Sequence, residues 1–395
     1  MLRVPRSVIH MTIGIDLRCV PGDGTSGAGI AHASRELVKE LLPLLQKDHT
    51  VILYATKGAA AELGRNGIGT GRNCRFSIVA NSAGSSLRKA LLQMPCSVLF
   101  VPSGAIAPGI RTACVPWVHD IAIFEHPEWF PESIFKRTLT TNLFRHGVKK
   151  ARAVLAVSQF TKRELEKYFK LAPESIKVTL EGGDPVLAAL KGEALEAAKQ
   201  AAKTKLAARG IVHPFILCLG TLEPRKNLPL LLEAWSLARP GFKRPVDLVI
   251  AGRDGWKIGA SAKSLKSVRG VETVANQLHR IETPTDEHRR DLLLGADLLA
   301  IPSLYEGFGL VALEAMQAGT AVLSSDNGAL PEVVGDGGVM LPPDKAEVWS
   351  QKLLELMQDA EARKRWAHLG KSRSDKMSWR NCAEIAAATL TDIKS

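Results

Sequence analysis

Aromatic side chains are scarce, at 5% of 395 residues with three tyrosines. They form no extended basic–aromatic pattern, so a base-stacking platform for nucleic acid is poorly supported, and no nucleic-acid partner is expected. No apolar run reaches the roughly 18–20 residues that a membrane-spanning helix needs. The basic start, Met1-Leu-Arg-Val-Pro-Arg-Ser-Val-Ile-His10, lacks the apolar core and small-residue cleavage site of a signal peptide, so none is expected. No Cys-x-x-Cys spacing occurs. Cys19, Cys74, Cys96, Cys114, Cys218 and Cys382 are scattered, and read as free thiols of a reducing compartment rather than as disulfides or metal ligands. No Asp-x-Asp pair occurs either, so a carboxylate site for Mg²⁺ or Mn²⁺ is not expected.

What is present is apolar residue in quantity, 46% of the chain, enough for two cores at this length. The formal net charge is +12. Positive charge concentrates between residues 136 and 170: Lys136, Arg137, Arg145, Lys149, Lys150, Arg152, Lys162, Arg163, Lys167 and Lys170. That segment is consistent with a solvated basic face, or with peripheral contact on anionic lipid.

Short apolar runs alternate with helical patterns. Strands are expected at 12–16, 50–55, 97–102, 114–118, 153–158 and 177–181, then at 215–220, 246–252, 296–302 and 321–325. Their lack of alternation implies strands buried on both faces, hence α/β layers with parallel sheets. Helices are expected at 26–45, 161–169, 228–239 and 285–295, with Ser158 or Thr161 capping the second and Asn227 the third. The stretch 187–209 has helical composition. The turn cluster Glu181-Gly-Gly-Asp-Pro185 marks the domain boundary, giving domains 1–185 and 186–375 and a terminal helix at 376–395.

Two segments carry chemistry. In Ser303-Leu-Tyr-Glu-Gly-Phe-Gly-Leu-Val-Ala-Leu-Glu314, a strand ends, a glycine turn follows, and a helix opens near Gly309. The first N–H groups of a helix have no internal partners and attract phosphate. Glu306 before the helix and Glu314 inside it add acceptors for hydroxyls. Phosphate beside hydroxyls suggests a nucleotide sugar. In Gly220-Thr-Leu-Glu-Pro-Arg-Lys-Asn227, Arg225 and Lys226 follow another strand, where a loop presents them at the carboxyl edge of a parallel sheet. Fixed cations suit a diphosphate leaving group. Taken alone, they are also consistent with two surface cations in a loop.

With Val249-Ile-Ala-Gly252 and Leu330-Pro-Glu-Val-Val334, these segments resemble the C-terminal half of retaining GT-B glycosyltransferases of the family 4 type. The resemblance implies two Rossmann-like doubly wound domains facing a central cleft. It implies that Glu306 lies against the donor sugar and Glu314 binds ribose. Arg225 and Lys226 would hold the diphosphate, with Gly252 and the backbone of Phe308, Gly309 and Leu310 also at the donor. In the first half, Gly22-Asp-Gly-Thr-Ser-Gly-Ala-Gly29 is similar to the family's N-terminal glycine loop, which assigns Gly27 and Gly29 to the donor phosphate. The run Trp117-Val-His-Asp-Ile-Ala-Ile-Phe-Glu-His-Pro-Glu-Trp129 resembles bacterial mannosyltransferase-like enzymes of O-antigen and polysaccharide synthesis. It implies that His119 and Asp120 position sugar and acceptor, and that His126, Glu128 and Trp129 touch acceptor.

The expected enzyme is a retaining, metal-independent hexosyltransferase without a cofactor. Mannose from GDP-mannose is the first donor suggested, and the acceptor is a lipid-linked or growing bacterial glycan. Its expected place is the cytoplasm, on the inner face of the membrane where the basic segment makes contact. A nucleotide-sugar 2-epimerase of the same fold, or a noncatalytic nucleotide-sugar- or nucleic-acid-binding protein, are the other readings.

Overall fold

The computed structural model describes residues 10–22, 29–130, 134–269 and 276–393. The chain divides into two compact units. One comprises Met1–Ile121, Ser133–Gly182 and Ser378–Ser395; the other comprises Ala122–Glu132 and Gly183–Met377.

The first unit is built on seven parallel strands: β1 (Thr12–Asp16), β2 (Thr50–Thr56), β3 (Cys74–Val79), β4 (Val98–Val101), β5 (Ala113–Val118), β6 (Val154–Ala156) and β7 (Ile176–Val178). Their order is β3-β2-β1-β4-β5-β6-β7. The central strands are sealed on both faces, with Ile13, Ile15, Leu53, Leu99, Phe100, Val115 and Leu155 fully buried. Trp117 at the end of β5 is also fully buried, and its indole N–H donates to Thr179 Oγ1 at 2.9 Å. The last helix, Trp379–Thr391, packs on the first, Gly29–Leu45, inside this unit.

The second unit repeats the plan with β8 (Phe215–Leu219), β9 (Asp247–Ala251), β10 (Leu278–Ile281), β11 (Leu298–Ile301), β12 (Ala321–Ser325) and β13 (Val339–Leu341). The order is β10-β9-β8-β11-β12-β13, again all parallel. In both sheets the strand order reverses beside the first strand of the unit: between β1 and β4, and between β8 and β11. In a doubly wound sheet, ligands sit beyond the carboxyl ends of the strands at that reversal. Arg225 and Lys226 follow β8, and Glu306 follows β11, so all three fall at the switch point of the second unit.

Two local expectations are corrected. Asn227 does not cap the helix Leu228–Ala238: its backbone is left-handed, at φ 51°, and its side-chain amide donates to Pro343 O at 2.9 Å instead. The stretch 187–209 is not one helix. It is divided into Pro185–Ala189, capped by Asp184, and Gly192–Ala207, with Gly192 at φ 53° at the break. Ser158 does cap its helix, Gln159–Phe169, accepting from Thr161 N.

Candidate functional site

Glu306 is the centre of the site. It is 7% exposed, and its two carboxylate oxygens receive three donors. Lys226 Nζ reaches Oε1 at 2.6 Å, Ser303 Oγ reaches the same oxygen at 2.7 Å, and Arg225 Nη1 reaches Oε2 at 2.8 Å. Burial opposes ionisation of this carboxyl, but the charges of Lys226 and Arg225 outweigh it and hold the pKa at about 2. Arg225 is itself oriented by Glu223, whose carboxylate lies 2.6 Å from Nε, and by the Tyr305 carbonyl, 3.0 Å from Nη1. The loop is tied down through its backbone as well, with Leu304 N donating to Arg225 O at 2.7 Å. Two cations and two carboxylates thus form a closed, nearly neutral cluster. A diphosphate entering it competes with Glu306 for the same N–H groups.

The helix Leu310–Gln317 starts directly after this loop. Gly309 stands before it at φ 105°, a conformation that side-chain-bearing residues rarely adopt. The Phe308 side chain is buried, leaving the backbone of residues 308–310 as the polar face at the helix start. Gly252 ends β9 at φ 137°, and a Cβ there would sit 2.0 Å from the Gly220 carbonyl oxygen. Its role in the structure is to let the ends of β8 and β9 close against each other, which fixes the root of the Arg225–Lys226 loop.

Glu314 lies one turn into the helix and is 1% exposed. Arg289, from the helix Asp286–Gly295, forms an ion pair with its Oε2. Sequence reading missed Arg289, Glu223 and Ser303. Glu223 and Ser303 lie inside the two motifs, two positions before Arg225 and three before Glu306. Arg289 carries no such spacing signal.

The segment Ala122–Glu132 belongs to the second unit. There the His126 ring stacks on Trp129 at 3.9 Å and meets Tyr305 edge-on at 6.1 Å. Lys257 Nζ donates to Glu128 O at 2.5 Å, and Phe130 stacks on Trp256 at 5.7 Å. Of the three acceptor candidates, His126 therefore stands next to Tyr305, the residue preceding Glu306, with Trp129 stacked on it.

His119 and Asp120 belong to the first unit. His119 has both ring nitrogens occupied, Nδ1 3.1 Å from Glu181 Oε1 and Nε2 2.9 Å from Pro102 O. Gly29 opens the helix Gly29–Leu45, while Gly27 lies outside the described residues. In the basic segment, Arg145, Lys149, Lys150, Arg152, Arg163, Lys167 and Lys170 are exposed; the Lys136 and Arg137 side chains lie outside the described residues. Lys162 is tied to Pro173 O at 2.8 Å and is part of the local fold. Among the described residues, no group of three or more His, Cys, Asp or Glu side chains is placed to hold a metal, and no helix is long and apolar enough to cross a membrane.

Comparison with known proteins agrees with this fold. Residues 208–373 match the family model described as glycosyl transferases group 1. The chain is 31% identical over 265 residues to O-antigen chain mannosyltransferase B of Escherichia coli, covering 67% of this chain and 66% of that one. It is 28% identical over 285 residues to the serotype-specific mannosyltransferase WbdA of Escherichia coli, covering 71% of this chain and 33% of that one. The match therefore spans just under two thirds of the first relative and about one third of the second. Among solved structures, that of Anabaena HepE in complex with UDP-glucose superposes with a TM-score of 0.73 at 20% identity, covering 97% of this chain and 100% of that one.

Proposed function

We propose that the chain, which matches the group 1 glycosyltransferase model over residues 208–373 and shares the GT-B fold, moves a hexose from a nucleotide sugar to a glycan acceptor, with mannose from GDP-mannose as the first donor to test. The observation that carries the reading is the Arg225–Lys226–Glu306 cluster at the switch point of the second unit. The resemblance to two mannosyltransferases supports the choice of sugar. The one named for the O-antigen chain supports an acceptor that is a growing or lipid-linked bacterial glycan.

In this reading, Arg225 and Lys226 receive the diphosphate, together with the backbone of Phe308, Gly309 and Leu310. Glu306 turns from the cations to the donor sugar, and Glu314 accepts from the ribose. Gly252 borders the donor phosphates, and the resemblance assigns Gly27 and Gly29 to donor phosphate as well. His119 and Asp120 position sugar and acceptor, and His126, Glu128 and Trp129 line the acceptor side. Reaction proceeds with retention. The bond from the anomeric carbon to the diphosphate oxygen breaks, the acceptor oxygen bonds on the same face, and the acceptor proton passes to the departing phosphate oxygen. The protein contributes positioning and stabilisation of the leaving charge. No step runs through a metal or cofactor. The basic segment holds the enzyme at anionic lipid on the cytoplasmic side, where a lipid-linked acceptor is met.

The test is a panel of GDP-, UDP-, ADP- and dTDP-sugars, scored by thermal shift and by turnover with a lipid-linked mannan acceptor. The expected result is a shift and product with GDP-mannose, unchanged by a chelator. Release of free sugar and nucleoside diphosphate without acceptor would favour the epimerase reading, and no shift with any nucleotide sugar would overturn both.

A further inference from the structure

Glu314 is an unusual carboxylate. It is 1% exposed, and its Oε2 is paired with Arg289. Among the described residues, no hydrogen bond reaches its Oε1. That oxygen is left open to water or to the hydroxyl donors of a ligand. Arg289 is in turn held from its other side. Asp184, fully buried, directs Oδ2 at Arg289 Nη2 at 3.4 Å and at Arg290 Nε at 2.7 Å. The other oxygen of Asp184 accepts from Val186 N at 2.8 Å, so this anchor is fixed to backbone. Burial disfavours the Arg289 charge, but Glu314 and Asp184 outweigh it and raise its pKa above the ordinary value. The guanidinium is thus a rigid bridge between an anchored aspartate and the half-satisfied glutamate.

We propose that Arg289 is the positioning residue of the donor-ribose site: by occupying Oε2 of Glu314, it aims Oε1 at the vicinal hydroxyls of a ribonucleoside diphosphate. The proposal rests on the reading of Glu314 as the ribose acceptor. A guanidinium suits the task because its planar fork engages two carboxylates at once, and a lysine ammonium cannot reproduce that geometry. Without the bridge, the carboxylate is free to rotate, and it stops selecting for hydroxyls. Arg289 is not in contact with the diphosphate in this scheme, so its loss leaves the phosphate contribution to binding intact.

The test compares GDP with 2′,3′-dideoxy-GDP, and UDP with 2′,3′-dideoxy-UDP, by isothermal titration on the full-length protein. Guanosine and uridine report the phosphate contribution. The wild type is expected to prefer the ribonucleotide by about 10–100-fold, the range for hydrogen bonds to a charged group. Arg289→Gln is expected to reduce that preference to about threefold or less while keeping the ratio of nucleoside diphosphate to nucleoside. Arg289→Lys, which retains a cation and guards against a folding defect in the first variant, is expected to lose at least about threefold of the preference. Unchanged hydroxyl preference in the folded Arg289 variants overturns the proposal. An equal fall in the hydroxyl and phosphate ratios also overturns it, since that pattern marks general damage. A wild type that does not distinguish ribo from dideoxy forms instead overturns the ribose reading of Glu314 itself.

Discussion

Lys226 Nζ lies 2.6 Å from Glu306 Oε1, joining the loop after β8 to the loop after β11 across the point where the strand order reverses. The pair is part of a cluster whose charges cancel without ligand, so in the proposed reading a donor diphosphate would replace an internal anion rather than enter an empty cationic site.

That replacement makes Glu306→Gln informative. The carboxyl is held at about 2, below its ordinary 4.5, by Lys226 and Arg225 against the opposing effect of burial. A depressed carboxylate stabilises the fold fully above pH 4.5, and the stabilisation is lost as pH falls towards 2. A shift of this size is worth about 3 kcal/mol. Glu306→Gln is expected to lower stability at pH 7 by that order and to flatten the acid limb of the stability curve. Nucleoside diphosphate binding is expected to tighten, because the competing carboxylate is gone, while turnover falls. Denaturant unfolding between pH 3 and 7, with titration of GDP, measures all three. An unchanged acid limb would remove the ion pair from the account.

Gly252→Ala tests the root of the same loop. The new Cβ would meet the Gly220 carbonyl oxygen at 2.0 Å, at a backbone φ of 137°. Backbone strain alone costs about 1–3 kcal/mol, and the clash adds to it. The urea midpoint is expected to fall, together with nucleotide affinity, as the Arg225–Lys226 loop moves. A variant as stable as the wild type would show that the β8 and β9 ends close without requiring glycine.

The cysteines are expected to be inert in the folded protein. Burial pushes Cys19, Cys96 and Cys218 up to about 11 and Cys114 to about 12, and it raises Cys74 and Cys382 as well. A thiol at 11 is about one thousandth thiolate at pH 8. A disulfide reagent at pH 8 is expected to titrate six thiols in denaturant, and to react slowly with the native protein. Cys74, half-buried at the sheet edge, is expected to react first. Fewer than six thiols in denaturant would reveal a disulfide and contradict the reduced reading.

The exposed cations of the basic segment predict salt-sensitive binding to vesicles containing phosphatidylglycerol. Each cation near an anionic surface is worth about 1 kcal/mol. Lys149→Gln with Lys150→Gln is therefore expected to weaken sedimentation with vesicles by about 10–30-fold, and soluble-acceptor turnover is expected to stay unchanged. Equal binding by wild type and double variant would assign the segment to ordinary solvation.

Much of this was readable from the chain, and the missed strands share a place in the sheets. The ten strands read from sequence include every interior strand of both sheets. The three missed, β3, β10 and β13, are all edge strands. An edge strand is covered less completely, so it need not be a continuous apolar run: β3 carries Arg75 and Ser77, and β10 carries His279 and Arg280. β7, the fourth edge, was found but placed one residue late at its start, at 177 rather than Ile176. Asn227 misled for a different reason. Its type suits a cap, but the tight turn Pro224–Lys226 forces it into the left-handed region and swings its amide to Pro343. At the site, Glu306, Arg225 and Lys226 were legible because motif spacing keeps them at two strand ends. The Arg289–Glu314 pair was not, because it joins two helices 25 positions apart with no periodic signal.

The most direct test of the central claim is titration of GDP and UDP into wild type and Lys226→Ala. One of the two is expected to bind the wild type, and the variant is expected to bind it about 10–100-fold more weakly, as befits loss of a charge-assisted contact to phosphate. Equal affinity in the two proteins, or no binding of either nucleotide to the wild type, would contradict the assignment of the Lys226–Glu306 cluster to a donor diphosphate.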